Sequence, residues 1–458
     1  MNIIVIVADS LRYDHVGCLG GRAKTPNIDA FAAEATVYDQ AYSENLPTLP
    51  CRTAWWTGRH LFTQRGWQHF EPWDYLLAEV LWDKGFASAL VTDVYHMHKP
   101  VYNCGRGFDT TVFVRGQEYD PWGVDDSIQV DLSKTHRLRG DDSDRTWKPR
   151  FEQYLRNTAG FEAEEDYFVA RVVTEACRWL DHVTQRQRDS LFLWVDCFDP
   201  HEPWDPPEPY RSMYDPDYTG QELIDPVPGP VEGYMTPEEL AHTFALYAGE
   251  VSFVDRWVGV LLDRIRDLGL SDDSLIMFTS DHGEPFGEHG IVRKARPWGY
   301  EELAHIPWIV KAPGGEGAGR RCEALVQPPD LMPTVLDLLD LPTTLELHYK
   351  GPVRLTFPQD RTLRRNEVTL HGKSLMPLVR GEAEGLHDFA VTAHHGAEWA
   401  IRTERWTYMF PLRGDRLPEL YDRQADPAEQ TNVLDQHPDV GDALELTLRR
   451  FADEVSRT

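Results

Sequence analysis

Four short apolar runs, each followed by a polar or acidic residue, constrain the fold of this chain more than any other feature of its sequence. The residues that follow them are Asp9, Thr92, Asp196 and Thr279. Such runs are typical of buried parallel strands, whose carboxyl ends gather ligands at one edge of a sheet. Helical patterns separate the runs, so we predict an α/β fold with a large, mostly parallel sheet sandwiched between helices. The four runs are residues 3–8, 87–91, 191–195 and 275–278.

Three segments between and after these runs have the spacing of amphipathic helices. In the first of them, Thr25-Pro26 supplies a helix cap and a first-turn proline. Two proline-rich, charged segments, 122–150 and 199–233, interrupt the pattern. We predict that both are long loops that form substrate-side insertions or oligomer contacts. The helical segments are 25–35, 168–182 and 237–268.

A change of texture after Pro358 indicates a second, smaller domain. Short alternating pieces replace the long apolar runs there, as expected for a small antiparallel sheet closed by a helix. We predict a catalytic domain over residues 1–370 and a C-terminal α+β subdomain over residues 371–458. The predicted elements of the subdomain are strands at 389–393, 398–402 and 406–410 and a helix at 440–455.

Composition excludes several classes of function. The formal charge of −29, from 75 acidic and 46 basic residues, would repel the phosphate backbone of a nucleic acid. No segment has the ~18 uninterrupted apolar residues of a membrane helix, and the N-terminal run lacks a basic leader. Six scattered cysteines without a CxxC pair indicate reduced thiols. We therefore expect a cytoplasmic protein that binds neither nucleic acids nor membranes and that forms, at most, homo-oligomers.

Candidate metal ligands follow two of the apolar runs. Asp9 comes directly after the first run, and Asp281-His282 come shortly after the last one. Taken alone, Asp9 would more often cap a helix than bind a metal ion. Two such strand ends on one sheet edge can converge, however, and Asp9, Asp281 and His282 are then candidate ligands of one divalent cation.

A segment after the first helix resembles the signature of the sulfatase family of the alkaline phosphatase superfamily. In that signature the nucleophile is followed by proline at the second position, arginine at the fourth and Thr-Gly at the ninth and tenth. The register makes Thr48 the nucleophile, which is also expected to bind the metal. Taking Cys51 instead would put Thr53 where the proline belongs, so Cys51 is rejected. The residues in register are Thr48, Pro50, Arg52, Thr57 and Gly58.

The resemblance extends over nearly the whole chain. It implies an alkaline phosphatase-like fold, and it implies that Arg52, His201 and Lys294 supply positive charge or hydrogen-bond donors to the reacting group. The matching segments are TPNID at 25–29, DPHEPW at 199–204, DHG at 281–283, GEHG at 287–290, Lys294, LYD at 420–422 and DP at 426–427.

The sequence departs from the family pattern at three places. Most members have two consecutive acids after the first strand, where this chain has Asp9-Ser10. His282 replaces the commoner asparagine, which together with the lost carboxylate shifts the expected metal from calcium toward manganese. The lysine of the family's GKWHLG segment is absent from its register. His96 and His98 lie there instead and are predicted to bind substrate.

These features predict a metal-dependent hydrolase of a small phosphate or sulfate ester. In typical sulfatases the hydrated aldehyde of formylglycine expels sulfate by elimination, and threonine is not a substrate for the conversion to formylglycine. A threonyl phosphate can be hydrolysed by water, whereas a threonyl sulfate lacks the geminal hydroxyl, so phosphodiester or phosphonate monoester substrates are favoured. Three alternatives remain open: a sulfatase that works without formylglycine, a homologue that binds metal and anions without turnover, and a transferase.

Overall fold

The predicted sheet consists of eight strands in the order β11-β2-β10-β8-β1-β6-β4-β5. The computed structural model describes residues 1–125, 127–186, 190–294, 299–342, 369–394, 396–414 and 416–457. All pairs are parallel except the two made by β10, so the sheet is mixed and mostly parallel, as predicted. The strands are β1 Asn2–Ala8, β2 Thr36–Ala41, β4 Ala87–Thr92, β5 Thr110–Phe113, β6 Leu191–Cys197, β8 Ser274–Thr279, β10 Trp308–Lys311 and β11 Arg320–Val326.

Helices cover both faces of this sheet. Side chains of β1 alternate between the faces, with Ile4 in one core and Val5 in the other. The first core receives α1, α5 and α6, and the second receives α2, α3 and α8. The helices are α1 Pro26–Ala33, α2 Thr48–Thr57, α3 Leu77–Asp83, α4 Asp144–Thr158, α5 Phe168–Gln185, α6 Pro237–Asp267, α7 Glu301–Ala304, α8 Leu331–Leu338, α9 Met376–Val379 and α10 Pro438–Arg457.

A second, five-stranded sheet lies near the C-terminus, in the order β15-β14-β13-β12-β3. Its four C-terminal strands pair antiparallel, and α10 packs against them. The fifth strand, β3, comes from the segment just before α2 and pairs parallel with β12. The two sheets are therefore tied together next to Thr48. The strands are β3 Asn45–Leu46, β12 Ala390–His394, β13 Glu398–Arg402, β14 Trp406–Pro411 and β15 Glu419–Asp422, and a separate pair joins β7 Gly229–Pro230 to β9 Ile291–Val292.

Most of the predicted elements are present, and two details of the prediction are wrong. The end of the predicted loop 122–150 is helical, because α4 begins at Asp144 and buries Phe151 and Tyr154. Thr25 does not cap α1 through its side chain, since its hydroxyl donates to Asp29 Oδ1 (2.9 Å) instead. Pro358, where the texture of the sequence changes, lies outside the described residues, and the boundary after residue 370 stays a prediction. Among the described helices, none has the length and apolar character needed to cross a membrane.

Candidate active site

The carboxyl ends of β1 and β8 bring together the three residues predicted to bind metal. Asp9 follows β1, and Asp281 and His282 follow the neighbouring parallel strand β8. All three are fully buried, and one ligand atom from each lies within 4.8 Å of the others. No other group of three or more metal-ligating side chains occurs within the described ranges. The convergence expected from two strand ends on one sheet edge is therefore present.

Hydrogen bonding at His282 leaves one ring nitrogen available to a metal. Its Nδ1 lies 2.8 Å from the carbonyl oxygen of Gly283, which only accepts, so this nitrogen carries the proton. The other nitrogen, Nε2, is buried and has no hydrogen-bond partner. It lies 3.8 Å from Asp9 Oδ1 and 3.6 Å from Asp281 Oδ2. An unpartnered imidazole lone pair facing two carboxylates fits a divalent cation well.

The two carboxylates differ in how strongly the protein stabilises their charge. Burial, followed by the nearby charge of Asp281, raises the pKa of Asp9 well above its usual range. Burial opposes ionisation of Asp281 too, but His282 and Arg52 outweigh it and lower the pKa of that carboxyl. Burial also lowers the pKa of His282, which keeps its ring neutral. Two buried acids beside a neutral imidazole form a site that attracts a cation.

Ser10 lies at the centre of this cluster. Its backbone has a φ of 60°, and its N–H donates to Asp281 Oδ1 (3.1 Å). The hydroxyl donates to Asp9 Oδ1 (3.1 Å) and lies 3.4 Å from Lys294 Nζ. A left-handed conformation costs a non-glycine residue about 1 to 2 kcal/mol, and these bonds offset that cost. Ser10 therefore fills the place of the family's second acid with a neutral group.

Thr48 is the first residue of α2, and its hydroxyl differs from those of the other two threonines in the helix. Thr53 Oγ1 donates to Leu49 O (2.9 Å) and Thr57 Oγ1 donates to Thr53 O (2.7 Å). The Thr48 hydroxyl makes no hydrogen bond to any residue that the structure describes. Cys51 is fully buried in the core, where burial raises the pKa of its thiol well above the ordinary value.

Arg52 joins Thr48 to the metal ligands through the protein itself. Its Nη1 donates to Thr48 O (3.0 Å) and to Asp281, and its Nη2 donates to Asp9 Oδ2 (3.0 Å). The remaining two N–H groups bind Asp196 in a bidentate pair, at 2.9 and 2.6 Å. All five donors of Arg52 are therefore used within the protein. A contact of Arg52 with the substrate would require breaking one of these bonds, and its catalytic role stays a prediction.

Lys294 is also held by the protein. Its ammonium donates to Glu284 and to Glu202 Oε2 (3.1 Å), and its third hydrogen-bond donor contacts the hydroxyl of Ser10 (3.4 Å). Burial would lower its pKa, but Glu202 and Glu284 outweigh burial and raise it, so the residue stays charged. Glu202 also accepts from Arg293, whose backbone has a φ of 59°. The ammonium therefore lies beside Ser10, where both carboxylates hold it, and its catalytic role stays a prediction.

His201 is buried, and a hydrogen bond to the backbone sets the tautomer of its ring. Its Nδ1 lies 2.8 Å from the carbonyl oxygen of Glu202, so that nitrogen carries the hydrogen and Nε2 carries the lone pair. Burial lowers the pKa of His201 well below its ordinary value. The ring stacks on Phe198 with centroids 3.9 Å apart. In this tautomer the neutral ring has its free lone pair at Nε2, and the catalytic role of His201 stays a prediction.

The two histidines predicted to bind substrate have different surroundings. His96 lies 6.3 Å from Phe198, ring to ring, and its Nε2 is 3.3 Å from Glu118 Oε2, so it faces the side of His201. His98 packs on Phe113, with centroids 4.5 Å apart, and burial lowers its pKa to about 4. His96 therefore lies near Phe198, which stacks on His201, and His98 packs against β5; substrate binding by either histidine stays a prediction.

Four charged residues of the site were not assigned a role from the sequence. Asp196 follows a predicted strand, Glu202 lies inside a matching segment and Glu284 directly follows one, yet nothing in their residue type shows that they are buried. Their partners are separated from them by about 10 to 144 residues, as in the Arg52–Asp196 and Lys294–Glu284 pairs. A buried carboxylate requires such a partner, and only the fold supplies it. The four residues are Asp196, Glu202, Glu284 and Arg293.

Solved structures of other proteins share this fold. The crystal structure of the phosphonate monoester hydrolase of Agrobacterium radiobacter matches with a TM-score of 0.73 and 22% identity, covering 98% of this chain and 96% of that one. The structure of BT4656 in complex with its substrate D-glucosamine-2-N,6-O-disulfate matches with a TM-score of 0.71 and 19% identity, covering 100% and 98%. These likenesses show that the chain shares the mixed α/β fold of these proteins.

Sequence comparison identifies the family. The model described as Sulfatase matches residues 1–341, and the model described as N-sulphoglucosamine sulphohydrolase, C-terminal, matches residues 287–453. The chain belongs to the sulfatase family, whose enzymes are ester hydrolases that use a divalent metal. Arylsulfatase K of Bos taurus is 26% identical over 479 residues, spanning 98% of this chain and 81% of the relative. The arylsulfatase of Clostridium perfringens is 24% identical over 487 residues, spanning 94% and 90%.

Proposed function

We propose that this protein hydrolyses phosphodiesters or phosphonate monoesters with Thr48 as the nucleophile. The observation that carries the proposal is the free hydroxyl of Thr48 at the start of α2, in a helix whose other threonine hydroxyls bond back to carbonyl oxygens. Arg52 connects Thr48 to Asp9 and Asp281 through hydrogen bonds of 3.0 Å or less. A nucleophile fixed beside a cation site needs little reorganisation before it reacts.

The proposed reaction has two steps. The Thr48 oxygen forms a bond to phosphorus while the bond to the leaving alcohol breaks, and water then cleaves the threonyl ester and restores the hydroxyl. A divalent cation held by Asp9, Asp281 and His282 would act as a Lewis acid and lower the pKa of the nucleophile. We assign His201 Nε2 as the acceptor of the proton that Thr48 loses, which then passes to the leaving alcohol. Lys294 supplies fixed positive charge beside Ser10.

Manganese or calcium is the proposed metal. Two carboxylates suit either ion, and the free His282 Nε2 favours manganese because calcium prefers oxygen ligands. Replacement of the second acid by Ser10 removes one negative ligand and points in the same direction. The cytoplasmic location and the exclusion of nucleic acids remain predictions from composition.

A sulfate ester is the second candidate substrate. The relatives named arylsulfatase support it about as strongly as the phosphonate monoester hydrolase structures support phosphorus chemistry. The argument for phosphorus is chemical. A threonyl sulfate has no geminal hydroxyl to drive elimination, whereas a threonyl phosphate is open to attack by water.

The test compares four p-nitrophenyl substrates: a phosphodiester, a phosphonate monoester, a phosphate monoester and a sulfate. Each is assayed with metal-loaded wild type, Thr48→Ala, Thr48→Ser and the matched control Thr53→Ala. We expect the diester or phosphonate to be cleaved best, and we expect Thr48→Ala to lose at least about a thousandfold in kcat. Thr48→Ser should keep measurable activity because it retains a hydroxyl, and Thr53→Ala should resemble wild type.

Each other outcome replaces the proposal with a specific alternative. A preference for the sulfate makes the protein a sulfatase that works without formylglycine. Full activity in Thr48→Ala shows that Thr48 is not the nucleophile. Metal and anion binding without hydrolysis of any substrate indicates a non-catalytic homologue, and transfer of the phosphoryl group to an added alcohol indicates a transferase.

A further inference from the structure

A stack of cationic side chains and aromatic rings lies beside the active site. The guanidinium of Arg150, on α4, lies over the rings of Tyr119 (4.2 Å to the centroid) and Trp147 (4.9 Å). Tyr119 packs on Tyr95 with centroids 5.0 Å apart, and Lys99 Nζ lies 4.5 Å from the Tyr95 centroid. Rings that hold a guanidinium in this way orient its plane and reduce the entropy it loses on binding an anion.

This stack is connected to the catalytic residues through Arg293. The Arg293 guanidinium also contacts the Trp147 ring, and it too lies 4.9 Å from the ring centroid. Because the guanidinium carbons of Arg150 and Arg293 both lie 4.9 Å from the same ring centroid, they can be no more than twice that distance apart. Arg293 and Lys294 both donate to Glu202. Arg150 thus lies about one ring away from the group of charges that surrounds the reacting ester.

Arg150 has no acidic partner in the described part of the chain. No ion pair or side-chain hydrogen bond is formed by it, although the chain has 75 acidic residues against 46 basic ones. Other arginines in nearby segments are paired, such as Arg115 with Asp120 (2.6 Å) and Arg137 with Glu239 (2.5 Å). A partly exposed arginine that stays unpaired in an acidic protein has its donors available to an incoming anion.

Aromatic side chains connect the surroundings of Arg150 with those of His201. His96 contacts Trp67, with centroids 4.8 Å apart, and lies 6.4 Å from Tyr119 and 6.3 Å from Phe198. Trp67 is 38% exposed.

We propose that Arg150, assisted by Lys99, binds a second anionic group of the substrate. The substrate class is then an ester that carries a carboxylate, sulfate or phosphate on the ring next to the reacting group. This inference rests on the proposed function, because it concerns the same active site. It assigns the segment before α4 and the helix itself to substrate selection.

The experiment uses pairs of aryl esters that differ by one ring carboxylate, placed on the group that is not released. One pair consists of p-nitrophenyl phenyl phosphates, and the second consists of the corresponding phenylphosphonates. For wild type we expect a lower KM for the carboxylate-bearing member of each pair. In Arg150→Gln that KM should rise about tenfold to a hundredfold, with kcat and the KM of the parent ester nearly unchanged. Analogues that carry a ring sulfate or phosphate identify the preferred anion.

Two variants serve as controls. Arg145→Gln removes an arginine of the same helix that is 86% exposed at its side chain, and it should behave as wild type. Arg150→Lys keeps the positive charge but not the planar group that stacks on the rings, and it should retain part of the affinity for the carboxylate-bearing ester. If Arg150 had only a structural role, Arg150→Gln would lose thermal stability and would affect both esters of a pair equally. Lys99→Gln should show the same selectivity with a smaller effect.

The result that would overturn the inference is an equal change for both members of a pair in Arg150→Gln, or no change. If wild type hydrolyses neither ester, the proposed function fails and the inference is tested by calorimetry instead. Binding of the carboxylate-bearing diester should then be weaker in Arg150→Gln than in Arg145→Gln, and equal binding by the two variants refutes the anion subsite.

Discussion

Replacement of Arg52 by methionine should destabilise the folded protein, because Arg52 is the cation shared by three buried carboxylates. Arg52 is fully buried and donates to Asp9, Asp196 and Asp281 as well as to Thr48 O. Methionine keeps most of the apolar stem but removes every donor. Three buried carboxylates would then lose the cation that they share.

The expected cost follows from the burial of these groups. Removing one partner of a buried ion pair typically costs about 3 to 5 kcal/mol, because the remaining charge is left uncompensated. A divalent cation bound by Asp9, Asp281 and His282 would compensate two of the three carboxylates but not Asp196. Metal should therefore raise the stability of Arg52→Met more than it raises that of wild type.

The assay is urea denaturation, in EDTA and in saturating manganese, of wild type, Arg52→Met and the control Arg402→Met. Arg402 is also fully buried and binds Gly299 O and Glu429, far along the chain from the metal ligands. Both variants should be destabilised in EDTA, and only Arg52→Met should recover a large part of the loss on adding manganese. Equal recovery by the two variants, or an unchanged midpoint in Arg52→Met, would refute the reasoning.

Two further predictions concern histidines. His282→Ala should weaken manganese binding at least about tenfold, measured by calorimetry, because it removes the unpartnered Nε2, and unchanged affinity would exclude this nitrogen as a ligand. Burial lowers the pKa of His289, but its hydrogen bonds to Glu302 and to the Glu429 carbonyl oxygen, with the charge of Glu302, outweigh burial and raise the pKa. The stabilisation that the protonated ring contributes is therefore complete below pH 6.5 and is lost as the pH rises through the pKa of the folded state. His289→Gln should therefore lower the thermal midpoint more at pH 5.5 than at pH 9, with His69→Gln, an exposed histidine, as control; an equal loss at both pH values would contradict this reasoning.

The predictions from sequence were most accurate where a local pattern decides the structure. The runs that end at Asp9 and Thr279 form neighbouring parallel strands, and the metal candidates meet at their carboxyl ends. A continuous apolar run and its length are local properties, so they can be read from a few consecutive residues. The helix α4 was missed because its sequence is highly charged and contains Pro149, and its apolar face became visible only once Phe151 packed against Leu223.

Roles that depend on hydrogen bonds between distant residues were predicted less well. Arg52 was expected to bind the substrate, but the fold places Asp196 against it and uses all its donors. His201 was expected to supply positive charge or a hydrogen-bond donor, and it was not foreseen that a bond to the carbonyl oxygen of the next residue, Glu202, sets its tautomer. Neither outcome could be inferred from residue type, because a guanidinium or an imidazole binds whichever acceptors the fold brings near it.

The sequence by itself determined the sheet edge, the position of Thr48 in the family signature and the residues available to hold a cation. The tertiary structure decided which charges are compensated: Arg52 by three acids, Lys294 by Glu202 and Glu284, and Arg150 by none in the described part of the chain. The physical reason is that strand formation depends on neighbours along the chain, whereas the energy of a buried charge depends on partners that only folding brings together.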